Sequence, residues 1–190
     1  GLAIAPDGTA YVSLEGVARV LRYERLDGLA ENLPIPPEFR RLQRNSALEA
    51  LAIGPDGALY TLPERSGREN RPFPVFRFRN GAWSQPFTIP RLGSFLPVGA
   101  DFGPDGRLYL LERQFRGLMG FAARVRRFEI AGDSISAGEV LLETRPGQHD
   151  NLEGMAVWRD GGGDIRLTLI ADDNFRFFQT TEIVEYSIPG

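Results

Sequence analysis

The chain has 190 residues, 42% of them apolar, which is enough to form a packed core and excludes a disordered protein. All 22 basic residues are arginine and stand against 25 acidic ones, so the formal charge of -3 provides no broad cationic field for nucleic acid. The absence of cysteine excludes disulfides and thiolate metal sites, and no apolar run approaches the roughly 20 residues of a membrane span.

A repeated motif predicts the architecture. Three copies of a short apolar strand followed by Pro-Asp-Gly stand 49 residues apart, at 1–8, 50–57 and 99–106. A fourth, looser copy at 153–160 is followed by a glycine-rich insertion at 161–163. The period is suited to four-stranded propeller blades and is too long for most helical repeats.

Each Pro-Asp-Gly is predicted to form the turn of a hairpin. Proline fixes φ, aspartate hydrogen-bonds back to the turn backbone, and glycine accepts the left-handed position that follows. The aspartates Asp7, Asp56 and Asp105 are therefore assigned to turns and not to a functional site. Second strands follow at 9–14, 58–62 and 107–111.

The remaining strands complete the blades. Third strands are predicted at 18–23, 74–79, 123–130 and 182–188, and fourth strands at 83–89 and 139–143. No helix of useful length is predicted. The fold class is therefore all-β, a single β-propeller domain over 1–190, with four-stranded antiparallel blades at about 1–48, 49–97, 98–149 and 150–190.

The first and fourth copies of the repeat are incomplete, which predicts a longer protein. The first copy lacks the equivalent of Glu49, and the fourth copy stops after its third strand. Because a closed propeller hides its strand edges, we expect the chain to belong to a longer protein with six blades. A closed ring of four blades is the alternative.

Strand directions predict that acidic residues gather at one rim of the central channel. The first strand of a blade runs along the channel, and the second strand runs back. The start of the first strand and the end of the second therefore lie on the same face of the propeller. The residues placed there are Glu49, Asp150, Asn151 and Glu153 at strand starts, Glu15, Glu64, Glu112 and 172–174 at strand ends, and Asp101 within a channel-lining strand.

Converging carboxylates repel one another unless a cation or an arginine offsets their charge. Oxygen ligands without cysteine, and with the single His149, favour calcium over zinc. The predicted calcium ligands are Glu49, Asp101, Glu153, Asp172, Asp173 and Asn174. For Glu64 and Glu112 the alternative is solvation or pairing with a neighbouring arginine, and for His149 it is an incidental position in a polar loop.

The C-terminal motifs resemble those of a known family. Asp150-Asn-Leu-Glu-Gly, Asp172-Asp-Asn-Phe and the segment 180–186 resemble the phytase-like family, described as having esterase-like activity of phytase. The inner repeats, with Glu64-Arg65 and Glu112-Arg113, are similar to the repeats of the same family. The resemblance covers essentially the whole chain. It implies a bacterial protein exported by a signal peptide, and thus a periplasmic or secreted location.

The resemblance also implies a function related to calcium-dependent phytases, namely calcium-assisted hydrolysis of phosphate or carboxylate esters. The substrate is then a small anionic or ester molecule, and calcium polarises its oxygen while an arginine offsets the developing charge. The predicted catalytic residues are Glu153, Asp150, Arg65 and Arg113.

Three alternatives remain beside this hypothesis. One is a non-catalytic envelope or periplasmic propeller that binds calcium or a small ligand. Another is a lactonase, because a glutamate opening the first strand and an Asn or Asp on another blade are similar to the single-metal site of gluconolactonase and regucalcin-like propellers. The third is a purely structural propeller with acidic loops and no bound ion. No Ser-His-Asp order, Gly-x-Ser-x-Gly elbow or glycine-rich phosphate loop is present in the sequence, so a serine hydrolase is not predicted.

Overall fold

The structure, a computed structural model, describes residues 1–43, 46–68, 70–175 and 179–188. Within these ranges the regular elements are strands and two 3-10 turns, Pro37–Arg41 and Gly117–Met119. No helix in the described part of the chain has the length and apolar character needed to cross a membrane.

The strands are β1 (Leu2–Ile4), β2 (Ala10–Leu14), β3 (Arg19–Tyr23), β4 (Glu31–Asn32), β5 (Leu48–Ile53), β6 (Leu59–Pro63), β7 (Phe73–Arg79), β8 (Ala82–Ile89), β9 (Leu96–Phe102), β10 (Leu108–Phe115), β11 (Phe121–Phe128), β12 (Ile130–Ala131), β13 (Ser134–Ile135), β14 (Glu139–Glu143), β15 (Leu152–Arg159), β16 (Ile165–Ala171) and β17 (Ile183–Ile188).

These strands form four antiparallel sheets in chain order, which confirms the predicted all-β propeller. Blade 1 is β1 to β4, blade 2 is β5 to β8, blade 3 is β9, β10, β11 and β14, and blade 4 is β15 to β17. Strands β12 and β13 form a small hairpin that the sequence pattern does not predict, and the two-residue β4 was also not predicted. That the chain belongs to a longer protein with six blades stays a prediction.

The Pro-Asp-Gly turns have the predicted chemistry. In each turn the aspartate accepts a hydrogen bond from the backbone N–H two residues later, at 2.9, 3.1 and 3.2 Å for Asp7, Asp56 and Asp105. The glycine that follows has a φ of 87°, 76° and 73° at Gly8, Gly57 and Gly106, a region that other residues rarely adopt. The turns are therefore fixed by residue type, and they set the hairpin register.

The core lies between neighbouring blades. Leu48, Leu51 and Phe76 belong to the apolar cluster shared by blades 1 and 2, and Phe73 and Leu110 to the cluster shared by blades 2 and 3. A third cluster joins blades 3 and 4. The first strands contact one another in sequence, β1 with β5, β5 with β9 and β9 with β15. They therefore line the axis, where a site can draw residues from every blade.

Candidate active site at the channel rim

Three β-bulges lie at equivalent places in the first strands. The pairing with the second strand passes from Leu48 to Ala50 in β5, from Pro97 to Gly99 in β9, and from Leu152 to Gly154 in β15. The extra residues are Glu49, Val98 and Glu153. A bulge bends the strand and re-aims side chains, and bulges are common beside active sites. The two glutamates are therefore positioned by a β-bulge that repeats in blades 2, 3 and 4.

Both bulged glutamates line one cavity. It has a volume of about 590 Å³ and lies between the first strands of the blades. Its third carboxylate is that of Asp101. Most of the remaining wall is aliphatic, with Leu2, Ile4, Leu51, Met155 and Ile170 among the lining residues. An ionisable group in such a wall loses part of its hydration, which favours its neutral form.

Arg113 joins three blades at this rim. Its Nη2 donates to Glu64 Oε1 at 3.1 Å, and its Nη1 donates to Asn151 Oδ1 and Glu153 Oε1. The guanidinium also lies over the ring of Phe121, 5.7 Å from the centroid. The side chain is 18% exposed, so it is shielded but reachable from the solvent. Glu64 follows β6, Arg113 belongs to β10, and the other two acceptors belong to blade 4.

Glu49 is in an environment that favours its protonated form. Burial, a hydrogen bond with Glu15 and repulsion from Glu64 and Glu15 raise the pKa of Glu49 to about 9, against the opposing effect of Arg113. At neutral pH Glu49 therefore carries a proton, and a carboxylic acid in that state can act as a general acid.

Asp101 links blades 3 and 4. Its Oδ2 accepts a hydrogen bond from the Val157 backbone N–H at 2.7 Å, and its Oδ1 accepts one from Phe102 N–H at 2.8 Å. Burial raises the pKa of Asp101, although the two hydrogen bonds oppose this. Because backbone donors engage both oxygens, these contacts give Asp101 a structural role.

The predicted ligand run 172–174 forms a loop with its own hydrogen bonds. Asp172 Oδ1 accepts from Asn174 N–H at 3.0 Å, and Asp173 Oδ1 accepts from Phe175 N–H at 2.9 Å. Asp173 Oδ2 accepts from the Thr181 hydroxyl at 3.1 Å. These contacts hold the loop in shape.

Asp150, just before β15, holds residues 179–180 by hydrogen bonds. Its carboxylate accepts hydrogen bonds from Gln179 Nε2 at 2.9 Å and from the backbone N–H groups of Thr180 and Asn151, each at 2.8 Å. Burial alone would raise the pKa of Asp150, but these hydrogen bonds together lower it. Asp150 is thus a positioning residue in this structure, and its predicted catalytic role stays a prediction.

The contacts of Arg65 and His149 are with residues other than the bulged glutamates Glu49 and Glu153. Arg65 is about half exposed, with its Nε 3.6 Å from Glu64 Oε2. His149 Nε2 lies 2.7 Å from the Tyr186 hydroxyl, and its Nδ1 lies 3.5 Å from Glu182 Oε1. Within the described part of the chain, neither residue forms a hydrogen bond or ion pair with the bulged glutamates.

Glu112 lies inside blade 3 and not at the rim. It is fully buried, and its carboxylate accepts hydrogen bonds from Arg124 at 2.8 Å and from Arg126 at 2.9 and 2.6 Å. Of the two interpretations that the sequence left open for Glu112, the structure shows pairing with arginine.

The six predicted calcium ligands do not form one coordination group. Among residues 1–43, 46–68, 70–175 and 179–188, no three His, Cys, Asp or Glu side chains are arranged to hold a metal ion. Glu153 is paired with Arg113, Asp101 with backbone donors, and 172–174 with its own loop. The predicted set therefore does not fit a single ion as it stands, and calcium binding stays a prediction.

Sequence reasoning missed the pairing of Glu64 with Arg113, although the repeat contains the signal. The two residues are 49 positions apart, the same as the repeat period, so they occupy equivalent places in blades 2 and 3. Glu15 has the same place in blade 1. Opposite charges at equivalent positions of neighbouring blades predict an ion pair near the axis.

Comparison with known proteins gives one family match. The sequence profile of the phytase-like family, described as "Esterase-like activity of phytase", matches residues 1–175. No curated protein matches the sequence.

Solved structures share the fold. A gluconolactonase from Xanthomonas campestris is 17% identical with a TM-score of 0.52, covering 88% of this chain and 52% of its own. A glucose dehydrogenase is 15% identical with a TM-score of 0.53, covering 100% and 60%. A putative 6-phosphogluconolactonase from Bacteroides uniformis is 15% identical with a TM-score of 0.50, covering 98% and 54%. At such identities the likeness shows the fold alone. The chain spans only 52 to 60% of the length of these three proteins.

Proposed function

The chain belongs to the phytase-like family, and from this we propose that its channel rim is the active site of a hydrolase acting on phosphate or carboxylate esters. One arrangement carries the proposal. Glu49, whose pKa is raised, and the bulged Glu153 line the same cavity, and Arg113 is hydrogen-bonded to Glu153 beside it. An acid, a carboxylate base and a fixed cation are three groups that ester hydrolysis can use.

Each group has a proposed role that follows from its contacts. Arg113 binds the phosphoryl or carbonyl oxygen and offsets the charge that develops on it, while the buried Glu64 holds its guanidinium in place. Glu153 uses Oε1 for its hydrogen bonds from Arg113 and Asn151, which leaves Oε2 to take a proton from the attacking water. Glu49 then donates its proton to the leaving alkoxide.

Two further predicted residues have supporting roles in this scheme. Arg65, close to Glu64 and half exposed, adds positive charge at the entrance for an anionic substrate. Asp150 keeps residues 179–180 against the start of β15, next to Asn151. Substitution of either residue is expected to change KM more than kcat.

Substitution of Glu153 tests the proposed base. The natural gene product should be assayed with a generic phosphate monoester, a carboxylate ester and a lactone, beside Glu153→Gln. Loss of the base is expected to lower kcat by about 10²-fold or more. Glu24→Gln is the matched control, because Glu24 is 71% exposed in a pair with Arg22. Equal turnover by wild type and Glu153→Gln would refute the mechanism.

The same assay separates the alternatives. Turnover of the lactone alone would favour a lactonase, and no turnover of any ester would favour a non-catalytic binding propeller.

Calcium and a periplasmic or secreted location remain separate proposals. Because the predicted calcium ligands contact different partners, the proposed hydrolysis uses only the protein's own side chains, Arg113, Glu153 and Glu49. Thermal unfolding with calcium and then with a chelator tests the ion, since specific binding raises the Tm by mass action. An unchanged Tm would count against calcium and would leave the roles of Glu49 and Glu153 untouched.

A further inference from the structure

The connection between β10 and β11 presents an apolar tip to solvent. The tip consists of Phe115, Leu118 and Met119, of which Leu118 is fully exposed and the other two are more than half exposed. The connection is held in one shape, because Arg116 N–H donates to Gly120 C=O at 2.8 Å and the Phe115 ring packs on Phe121 at 5.1 Å. Three large apolar side chains on one ordered loop indicate a surface that makes a contact.

Arginines line three adjoining depressions near this tip, with volumes of about 440, 660 and 730 Å³. The first depression shares Gly67 with the second, and it shares Pro72 and Thr88 with the third. The three therefore form one continuous surface. The lining arginines are Arg41, Arg65, Arg68, Arg71 and Arg91. Among the described lining residues the only carboxylate is that of Glu38. This surface, called the arginine surface below, is rich in arginine although the whole chain has a formal charge of -3.

The apolar tip and the arginine surface are connected. Gln114 Nε2 donates to Ser94 Oγ, and Ser94 lines the same depression as Arg91. Gln114 Oε1 accepts from Arg116 Nε at 2.6 Å, and Arg116 lies in the loop that carries the tip. Both features follow second strands, β6 and β10, and so lie on the face that carries the channel rim.

We propose that this face binds the surface of an anionic lipid bilayer. Arginines attract the phosphates of anionic headgroups, and exposed apolar side chains enter the boundary between headgroups and acyl chains. A soluble polyanion would use the arginine surface without the tip, and an apolar peptide would use the tip without the arginines. A bilayer surface matches both features side by side. This inference does not depend on ester hydrolysis, but it would turn the channel rim towards the membrane.

Sedimentation with lipid vesicles tests the proposal. The chain should bind phosphatidylglycerol vesicles, bind neutral phosphatidylcholine vesicles much more weakly, and be released by salt. Replacing Leu118 and Met119 together by serine should weaken binding about tenfold or more, since each large side chain no longer leaves water. Replacing Arg68 and Arg71 together by glutamine should weaken it by a similar factor.

Leu29→Ser is the control for the tip variant. Leu29 is 95% exposed, and it lies between β3 and β4, on the side of the Pro-Asp-Gly turns. Its substitution should leave vesicle binding unchanged. Far-ultraviolet circular dichroism of all variants checks that the sheets are intact.

A single labelled cysteine gives a second measurement. Because the chain has no cysteine, Leu118→Cys and Leu29→Cys can each carry one polarity-sensitive fluorophore. With anionic vesicles, the emission of the label at position 118 should shift to the blue and that at position 29 should not. Binding that requires the arginines but not the tip would indicate a soluble polyanion site and overturn the proposal. Absence of binding, or equal binding to neutral vesicles, would also overturn it.

Discussion

Two neighbouring residues of β10, Glu112 and Arg113, show how one strand serves two environments. Glu112 is fully buried and is held by two arginines of β11, the next strand of the same blade. Arg113 is 18% exposed and contacts acceptors in blades 2 and 4. Successive side chains of a strand point to opposite faces, so a single step along the chain separates an internal charge cluster from the channel rim.

The difference teaches that ionic contacts of similar length can have different purposes. A buried ion pair is costly to break, because its loss leaves a charge without a partner in a poorly hydrated place. A partly exposed arginine at a junction of blades can exchange its partners with solvent or substrate at lower cost. We therefore assign stability to Glu112 and chemistry to Arg113, and substitutions can test this division.

The largest effect is expected for Glu112→Gln. It leaves Arg124 and Arg126, both nearly fully buried, without their shared carboxylate, so the free energy of unfolding should fall by about 3–5 kcal/mol. Urea denaturation measures this change. The control Glu31→Gln removes an exposed pair with Arg22 and should have a small effect. Equal losses in the two variants would show that the buried cluster does not stabilise blade 3.

A smaller effect, visible as a pH dependence, is expected for Glu49→Gln. The raised pKa of Glu49 means that the folded state holds a proton which the unfolded state releases above the ordinary glutamate pKa of 4.5. This stabilisation is complete below pH 4.5 and is lost as the pH rises through about 9. The wild type should therefore lose stability as the pH rises over this window.

Glu49→Gln should remove this pH dependence, so the variant should be more stable than the wild type at alkaline pH. Urea denaturation at several pH values measures it. Parallel curves for the two proteins would show that Glu49 is ionised in the folded state, and would remove the proposed general acid.

The smallest change in stability is expected for Arg113→Lys. Lysine keeps the charge but loses the planar fork that reaches Glu64, Asn151 and Glu153 at once, so the free energy of unfolding should fall by about 1 kcal/mol. Ester turnover, in contrast, should fall strongly. A loss of stability as large as that of Glu112→Gln, with turnover unchanged, would reverse the roles given to these two residues.

Much of the fold could be predicted because turn chemistry is local. The Pro-Asp-Gly sequences located three hairpins, and the alternating segments located the strands that follow them. The short β4 and the β12–β13 hairpin were missed, since each strand has only two residues and carries no periodic pattern. Phe39, in the 3-10 turn Pro37–Arg41, packs on Phe76 and Trp83, a contact that no local pattern indicates.

The site was harder to predict because it depends on bulges and on neighbouring blades. The sequence placed Glu49 and Glu153 at strand starts, but not on bulges, which depend on the pairing of whole strands. Asp101, Asp172 and Asp173 have residue types that suit a metal, yet backbone and hydroxyl donors engage their oxygens here. Side-chain chemistry can be read from sequence, whereas competition among hydrogen-bond partners requires the folded arrangement.

The bond from Asp101 to Val157 has a consequence for the repeats themselves. Counting back by the period of 49 residues, the positions equivalent to Asp101 are occupied by Ala52 in blade 2 and Ala3 in blade 1. Alanine has no side-chain oxygen that could accept a hydrogen bond from the next blade. The interface between blades 3 and 4 therefore contains a side-chain hydrogen bond that these positions of blades 1 and 2 cannot form. The blades share a repeated sequence pattern but are not interchangeable, and a chimera carrying blade 2 in the third position would lose this hydrogen bond between blades.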